Sequence, residues 1–505
     1  MTSTPDHLPT DDLPTDRVPT VRDALRSPRL LRVEVLAGLV VAIALIPEAI
    51  SFSIIAGVDP RLGLFASFTM AVSIAFLGGR PAMISAATAA VALVVAPVVE
   101  LYGVDHLIAT VILGGVFQIV LAVLGVAKLM RFIPRSVMVG FVNSLAILIF
   151  LAQLPHLIDV PWAAYPLVAA GLAIMAFLPR VTTVVPAPLV VLVLLAAVTM
   201  STGLDVPTVG DEGALPESLP SLLWPDVPLT WETFTRLAPY ALAMAIVGLM
   251  ESLMTAKLVD DITDSPSDKT REAWGQGAAN VITGFFGGMG GCAMIGQTMI
   301  NVKVSRARTR LSTFVAGVAL LVLVVGFGDL VADIPMAALV AVMILVAWST
   351  FDWHSVAPRT LRRMPRSETV VMVTTVATVV ATDNLAIGVV AGVVVAMVAF
   401  ARRVAHFTAV SGTLQADGTK RYTVVGELFF ASSNDLVHQF DYAGDPDHVV
   451  IDLSGSHVWD ASSVAALDAI EHKYASKGKT VTIEGLNEAS LERHGRLSGE
   501  LGGEF

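Results

Sequence analysis

The sequence predicts a polytopic α-helical membrane protein followed by a small soluble α/β domain. Apolar residues make up 55% of the 505 residues. Charged residues make up only 15%, whereas a soluble domain has roughly 25%. The mean hydropathy of +0.73 is too high for a soluble protein of this length. The charge is also uneven: residues 36–56 contain one ionisable side chain, Glu48, whereas residues 411–505 have the composition of a soluble domain.

Fourteen apolar segments alternate with short polar breaks, and we predict that they are the transmembrane segments. The third and the tenth are too short to cross about 30 Å as complete helices, and each follows a glycine-rich break. A count of twelve is the alternative, and it requires both short segments to be re-entrant. The fourteen segments cover residues 34–56, 62–77, 85–99, 107–127, 136–152, 163–178, 184–200, 237–258, 275–288, 294–304, 311–327, 335–349, 369–382 and 385–401.

The positions of the basic residues favour fourteen segments with both ends of the chain in the cytoplasm. Four arginines within residues 22–32 precede the first segment and place the N-terminus inside. With fourteen segments, every Lys and Arg up to residue 403 then falls on the cytoplasmic side, except Arg61 and Arg236. The acidic loop 201–235 becomes external.

The composition also disfavours several classes of function. The single cysteine, Cys292, excludes an internal disulfide and a cysteine-based metal or redox site. The net charge of −11 argues against nucleic acid as a partner. We expect neither a metal nor a cofactor. Residues 1–30 are predicted to be a cytoplasmic tail with a disordered Pro- and Thr-rich start, rather than a cleaved signal peptide, because no apolar stretch follows a basic start.

An internal repeat relates the two halves of the membrane part. Gly-Gly-Arg-Pro-Ala-Met-Ile-Ser at residues 78–85 recurs as Gly-Gly-Cys-Ala-Met-Ile-Gly at residues 290–296, just before the third and the tenth segments. The first and the eighth segments each carry one mid-span carboxylate, Glu48 and Glu251. Seven is an odd number, so the second set of seven segments is inverted in the membrane. Inverted repeats with short, glycine-interrupted segments at matching positions indicate the substrate site of a transporter.

The last hundred residues change from helical to alternating periodicity. Residues 422–430, 448–454 and 479–484 are predicted strands, and residues 464–474 form an amphipathic pattern that predicts a helix. Strands that alternate with helices predict a small α/β domain.

Five stretches in the membrane part form a combined pattern: residues 37–49, 56–64, 84–90, 275–277 and 287–297. Together with the α/β tail they resemble the SulP family of anion transporters, whose tail is a STAS domain. The resemblance covers residues 30 to about 495. One departure is that most members have Gly-Pro where this chain has Ala86-Ala87.

The resemblance implies an architecture and a class of function. It implies 14 transmembrane segments in a 7+7 inverted repeat, with a core of segments 1–4 and 8–11 and a gate of segments 5–7 and 12–14. The domains are then the tail 1–30, the membrane transport domain 31–405 and a cytoplasmic STAS domain 411–505. It also implies a secondary transporter of a small inorganic or organic anion, often a homodimer, in the lipid bilayer of the plasma or inner membrane.

We expect the anion site where the two short segments begin. A helix start exposes unpaired N–H groups and about half a positive charge, so two facing starts can bind an anion without a basic side chain. Animal members commonly have Ser-Arg where this chain has Gly296-Gln297, so a fixed positive side chain is absent there. Close helix packing is the alternative role of the small residues, and core packing or helix capping that of Phe52 and Asn301. The predicted ligands are Ser85, Ala86, Ala87, Thr88, Gly296, Gln297, Thr298, Phe52 and Asn301.

Two intramembrane carboxylates are the predicted coupling groups. Glu48 follows Pro47, which frees backbone groups in the first helix, and many relatives have Gln there. Glu251 has Thr255 one turn further on, and in the family this acid faces the substrate cleft. A carboxylate in the membrane is functional by default, although each can also serve as a structural hydrogen-bond partner.

The tail contains one further candidate. Residues 458–463 resemble the phosphorylated loop of soluble STAS proteins, with Ser462 at the matching position. A helix N-cap formed by Asp460 or Ser462 is the alternative interpretation.

The preferred function is proton-coupled symport of a small anion such as fumarate or another dicarboxylate, sulfate or bicarbonate. Sodium-coupled bicarbonate-type symport through Glu251 and Thr255, anion exchange and an uncoupled anion channel are alternatives. A nucleobase:cation symporter shares the inverted seven-plus-seven design, but the STAS-like tail argues against it.

Overall fold

The computed structural model describes residues 19–125, 128, 133–181, 187–405 and 408–499. The start of the predicted tail, residues 1–18, and the last residues, 500–505, lie outside this range. The chain divides into two compact units, Met1–Gly392 and Val393–Phe505.

The first half of the membrane unit is a series of helices interrupted by one very short strand. Proline occupies the first turn of the second and third helices, where its missing N–H costs nothing. The elements are α1 (Val21–Arg26), α2 (Pro28–Ile55), α3 (Pro60–Leu77), β1 (Ser85–Ala86), α4 (Ala89–Tyr102), α5 (Val104–Val123), α6 (Arg135–Leu151), α7 (Ala164–Val181) and α8 (Ala187–Thr202).

The second half repeats this order. Its elements are α9 (Trp231–Thr263), α10 (Lys269–Phe285), β2 (Cys292–Ala293), α11 (Ile295–Met299, continued by the π-helical turn Ile300–Val304), α12 (Arg310–Gly326), α13 (Gly328–Ala332), α14 (Met336–Thr350), α15 (Pro358–Arg363), α16 (Arg366–Thr382) and α17 (Leu385–Ala405). Each of the fourteen predicted segments overlaps one helix. Six of the described helices are long and apolar enough to cross a membrane by themselves, so the count of fourteen spans stays a prediction.

Packing between the helices has the symmetry that an internal repeat predicts. Helices α2, α3, α4 and α5 of the first repeat correspond to α9, α10, α11 and α12 of the second. The contact of α5 with α10 therefore has a counterpart in the contact of α12 with α3, and both occur. The contact of α2 with α12 likewise has a counterpart in that of α9 with α5. Helices α3 and α10, which correspond to each other, are also in contact, and the hydroxyls of Thr69 in α3 and Thr283 in α10 are 2.8 Å apart.

Glycine allows the closest of these crossings. A Cβ atom on Gly115 of α5 would lie 2.6 Å from the carbonyl oxygen of Gly277 in α10, and a Cβ on Gly277 would lie 2.6 Å from that of Gly115. Small residues at helix interfaces in membrane proteins have this role, because they bring the backbones together.

Two fully buried carboxylates hold loops of the membrane unit in place. Glu34 of α2 accepts hydrogen bonds from the N–H groups of Arg308 (2.8 Å), Thr309 (3.0 Å) and Ser312 (3.2 Å), and so caps the start of α12. Glu272 of α10 accepts from the N–H groups of Gly79 (2.7 Å) and Arg80 (3.0 Å). Buried carboxylates satisfied by backbone donors in this way are structural.

The second unit is a four-stranded sheet with helices. Strands β3 (Ala409–Leu414), β4 (Lys420–Leu428), β5 (His448–Val458) and β6 (Thr480–Glu484) lie in the order β3-β4-β5-β6. The β3–β4 pair is antiparallel and the other two pairs are parallel. The helices are α18 (Phe430–Leu436), α19 (Ala461–Ala475) and α20 (Glu488–Leu497). The predicted strands and the predicted helix are confirmed; β3, an exposed edge strand without alternation, and the short α18 and α20 were not predicted.

We predict a pH-dependent contribution of Asp452 to the stability of this unit. Hydrogen bonds from Ser454 and from Arg421 (3.0 Å) lower the pKa of Asp452 to about 2. A folded-state pKa below the unfolded value, about 4, stabilises the fold above pH 4, and this stabilisation is lost as the pH falls toward 2. In thermal unfolding of the full-length protein, Asp452→Asn should therefore lower the midpoint at pH 5, with the difference from the parent shrinking toward pH 3.

The control is Asp435→Asn, which removes an exposed carboxylate that forms no ion pair within the described residues. It should shift the midpoint little at any pH. A difference between the parent and Asp452→Asn that stays constant from pH 5 to pH 3 would contradict the prediction.

Candidate functional site

A two-stranded antiparallel pairing lies at the centre of the membrane unit. Ser85 of β1 pairs with Ala293 of β2, and Ala86 pairs with Cys292. All four residues are fully buried. Helix α4 begins three residues after β1, and α11 begins two residues after β2. The pairing therefore brings the starts of the two short helices together.

Residues 85–88 differ from the expectation that the third segment is helical from its first residue. The sequence predicts the third segment from residue 85, but residues 85–86 form the strand and the helix begins at Ala89 with Thr88 as its N-cap. The physical reason is the strand pairing, which uses the backbone of these residues in an extended conformation. Only the tertiary contact with β2 makes that conformation favourable.

Buried amides hold β2 from behind. The Asn280 side chain donates to the carbonyl oxygen of Gly291 (3.0 Å) and accepts from its N–H (2.9 Å). It also donates to Gln118 Oε1 (2.9 Å), and Ser252 Oγ accepts from the N–H of Ala293 (3.1 Å). Polar residues within apolar segments are the sequence signal for such a network, because a buried polar group needs a partner. Gln118 and Ser252 are not among the site residues that the sequence predicts.

The start of α4 offers unpaired backbone donors. Thr88 Oγ1 accepts from the N–H of Val91 (3.3 Å) and so occupies one donor of the first turn. The N–H of Ala87 is also occupied, because it donates to Ser67 Oγ (3.2 Å). The N–H groups of Ala89 and Ala90 have no acceptor among the residues that the structure describes. The available donors thus lie one turn further on than residues 85–87.

The start of α11 is more open. Gly296 is exposed, and a Cβ atom added to it would meet nothing within 4 Å. Gln297 is 2% exposed; its Nε2 donates to Glu48 Oε1 (2.6 Å), whereas its Oε1 has no partner in the described part of the chain. Gln297 therefore joins the start of the second short helix to the carboxylate of the first repeat.

The second carboxylate joins the first short helix. Glu251 Oε2 accepts from the thiol of Cys292 (3.0 Å), and the sulfur lies 3.2 Å from Thr88 Oγ1. The hydroxyl of Thr255 donates to the carbonyl oxygen of Glu251 (2.8 Å) and lies 3.4 Å from that of Ala293. Neither Glu48 nor Glu251 forms an ion pair within residues 19–125, 128, 133–181, 187–405 and 408–499.

The other predicted ligands are buried and support the site from behind. Ser85 Oγ accepts from Gln276 (2.7 Å), and Thr298 Oγ1 accepts from the N–H of Ile84 (3.0 Å). The Asn301 amide donates to the carbonyl oxygen of Ala82 (2.7 Å) and to Ser312 Oγ (2.9 Å). Residues Ser85, Ala86, Thr298 and Asn301 have no exposed surface, and Ala87 and Phe52 have almost none.

Ser462 lies in the second unit, exposed in the first turn of α19. The N-cap of this helix is Asp460, whose Oδ1 accepts from the N–H of Ser463 (3.0 Å). Its Oδ2 accepts from the N–H of Phe430 (2.7 Å). Asp460 is therefore the N-cap of this helix, and Ser462 is not.

Comparison with known proteins gives consistent matches over both units. The model of the "Sulfate permease family" matches residues 31–375, and that of the "STAS domain" matches residues 413–498. The chain is 50% identical over 460 residues to YbaR of Bacillus subtilis strain 168, named as a candidate sulfate transporter, and this covers 91% of the chain and 95% of YbaR. It is 26% identical over 498 residues to the bicarbonate transporter BicA of Picosynechococcus, covering 88% and 87%.

A solved structure shows the same fold. The murine Solute Carrier 26 family member A9 anion transporter, in its inward-facing state, matches 92% of the chain and 87% of its own length with a TM-score of 0.80 and 16% identity.

We predict that Gly291→Ala unfolds the centre of the membrane unit, because the new Cβ would lie 2.0 Å from the carbonyl oxygen of Ala86 in the paired strand. Overpacking of this kind costs about 1–3 kcal/mol or more. Thermal unfolding of the purified protein should show a clearly lower midpoint. Gly296→Ala is the matched control, with open space for its Cβ; equal midpoints for the two variants would contradict the prediction.

Proposed function

The chain belongs to the sulfate permease family and carries a STAS domain, and from this premise we propose that it accumulates a small anion by proton-coupled symport. Like the family, it is a multi-pass membrane anion transporter and not an enzyme. The proposal concerns the site, the coupling ion and the substrate. The observation that carries it is the pairing of two helix starts, each joined to a carboxylate.

The anion site of this proposal consists of backbone donors. The free N–H groups of Ala89 and Ala90 at α4 and the exposed Gly296 at α11 form its two sides. Each helix start adds about half a positive charge. No Lys or Arg side chain bonds to Thr88 or Gln297 within the described residues. An anion is therefore bound by dipoles and N–H groups, in the manner known for helix N-termini.

Coupling to a cation follows from the charge of the substrate. Moving one negative charge inward against the membrane potential costs about 2.3 kcal/mol per 100 mV. Without a basic side chain at the site, accumulation needs a cation that travels with the anion. Glu48 and Glu251 are suited to carry a proton, since each is hydrogen-bonded to a residue at a helix start and neither is neutralised by an ion pair in the described structure.

The proposed substrate class is a small oxyanion or dicarboxylate: sulfate, bicarbonate or fumarate. The names of two relatives, a candidate sulfate transporter and a bicarbonate transporter, support the first two. We propose that the protein lies in the plasma or inner membrane with the N-terminus and the STAS domain in the cytoplasm, because the basic residues then lie inside. We further propose a homodimer, because members of the family often form one.

Sodium coupling is the second candidate, and one observation favours it. The hydroxyl oxygen of Thr255 and the carbonyl oxygen of Ala293 are 3.4 Å apart beside Glu251. Oxygen atoms from a hydroxyl, a carbonyl and a carboxylate are ligands that hard cations prefer. Uptake under an imposed sodium gradient without a pH gradient distinguishes this candidate from proton coupling.

We predict that Glu48→Gln or Glu251→Gln abolishes accumulation of labelled sulfate or fumarate under an inward proton gradient. An amide mimics the protonated acid, so the variant should still bind the anion and exchange it between two pools. Glu232→Gln is the control, because Glu232 is an exposed acid at the start of the same helix as Glu251. If both variants accumulate anion as the parent does, and sodium has no effect either, the symport proposal fails and a channel is favoured.

We also predict that Gly296→Leu abolishes uptake while the protein stays folded. The added side chain enters open space, so it blocks approach to the backbone without displacing neighbours. Gly326→Leu is the matched control, since Gly326 is also exposed and has nothing within 4 Å of a new Cβ. Normal uptake with Gly296→Leu would contradict a backbone-based site at this helix start. The same substitution at Ala86 is uninformative, because Ala86 is fully buried and a Leu there would disturb the core.

A further inference from the structure

The thiol of Cys292 lies between a predicted ligand residue and a predicted coupling acid. We propose that Cys292 is a positioning residue that transmits the protonation state of Glu251 to the hydroxyl of Thr88 at the start of α4. This inference rests on the proposed function, because it assigns a route between the two sites. Cys292 itself touches neither the anion nor the cation in this scheme.

The direction of the hydrogen bonds is set when Glu251 carries a negative charge. A carboxylate only accepts, so the Cys292 thiol donates to Glu251 Oε2 over 3.0 Å. The sulfur is then left as an acceptor, and Thr88 Oγ1 at 3.2 Å is the donor. Thr88 Oγ1 also accepts a hydrogen bond from the N–H of Val91 (3.3 Å), and this bond does not involve the hydroxyl proton of Thr88. In this state the hydroxyl proton of Thr88 forms a hydrogen bond with the sulfur of Cys292.

A proton on Glu251 reverses the chain. The carboxylic acid O–H can now donate to the sulfur of Cys292, and the thiol proton turns to Thr88 Oγ1. Thr88 still accepts from Val91, and its own hydroxyl proton is released from sulfur. One proton is added at Glu251, each other proton stays on its own atom, and no covalent bond is made or broken apart from that O–H.

The released hydroxyl lies at the N-cap of α4, next to the free N–H groups of Ala89 and Ala90. A further donor for the anion becomes available only when Glu251 is protonated. By linkage, the bound anion then raises the affinity of Glu251 for its proton by the same factor. One hydrogen bond contributes a change of about three- to tenfold in affinity.

The symmetry of the fold supports this assignment independently. Cys292 connects the start of the first-repeat helix α4 to the acid of the second repeat. On the other side, Gln297 connects the start of the second-repeat helix α11 to Glu48 of the first repeat, at 2.6 Å. Each helix start is thus connected by hydrogen bonds to the carboxylate of the other repeat. Gln297 bonds directly to Glu48, whereas Thr88 is connected to Glu251 through the sulfur of Cys292.

Glu251 has few other charged groups to respond to. Helix α9 packs on α4, α5, α10, α11 and β2, and on these elements the only titratable side chain bonded to Glu251 is that of Cys292. None of the others on these elements bonds to Glu251 within the described residues, and Glu272 is bonded to Gln276 and to the backbone of residues 79–80. They are Glu100, Tyr102, Asp105, His106, Lys269, Arg271, Glu272 and Lys303, and on α9 itself Glu232, Arg236, Tyr240, Lys257, Asp260 and Asp261.

The test measures KM for labelled sulfate and for labelled fumarate at pH 5.5 and pH 7.5 in vesicles that contain the full-length protein. In the parent, KM should be about three- to tenfold lower at pH 5.5. Cys292→Ala removes the relay, so the hydroxyl of Thr88 is free at both pH values and this part of the pH dependence should disappear. Cys292→Ser keeps one donor and one acceptor at the position and should restore it.

Two further results separate a relay from a packing role. Cys292→Ala in the Glu251→Gln background should add nothing to the loss of pH dependence, because both changes break one route. An unchanged pH dependence in Cys292→Ala, or an equal loss in Cys292→Ser, overturns the inference while the symport proposal stands. If the parent accumulates none of sulfate, fumarate and bicarbonate under an inward proton gradient, the symport proposal fails, and the inference fails with it.

Discussion

The pairing of two residues of β1 with two residues of β2 is the contact on which the rest of the membrane unit depends. It joins the two repeats through the short strands β1 and β2, and it determines where both short helices begin. A sheet of this size has little stability of its own. It persists because Asn280 binds both backbone groups of Gly291, and Ser252 binds the N–H of Ala293.

Burial gives this centre its electrostatic character. The polar atoms around β1 and β2 are amides, hydroxyls, one thiol and two carboxylates, and none of the described Lys or Arg side chains bonds to the carboxylates. The basic residues are used elsewhere: Arg80 pairs with Asp260 (3.0 Å) at the ends of the helices. Under the proposed symport, an anion that enters this centre meets helix dipoles and N–H groups, and the charge balance depends on protons carried by the two acids.

The two acids, one in each repeat, differ in their burial and in their partners. Glu48 is partly exposed and has a direct partner, whereas Glu251 is buried behind Cys292. The chain is therefore symmetric in its backbone and asymmetric in its chemistry.

The sequence by itself determined the architecture, because hydropathy, charge placement and the repeated glycine motif are properties of local segments. The α/β fold of the second unit follows in the same way from the alternating pattern of its strands. Only the tertiary structure decided which residues meet: Gln297 with Glu48, Cys292 with Glu251, and Asn280 with Gly291 are far apart in the chain. Residues 85–88 were mispredicted as helical for the same reason, since an extended conformation there is favourable only when a second strand, contributed by the other repeat, satisfies its backbone.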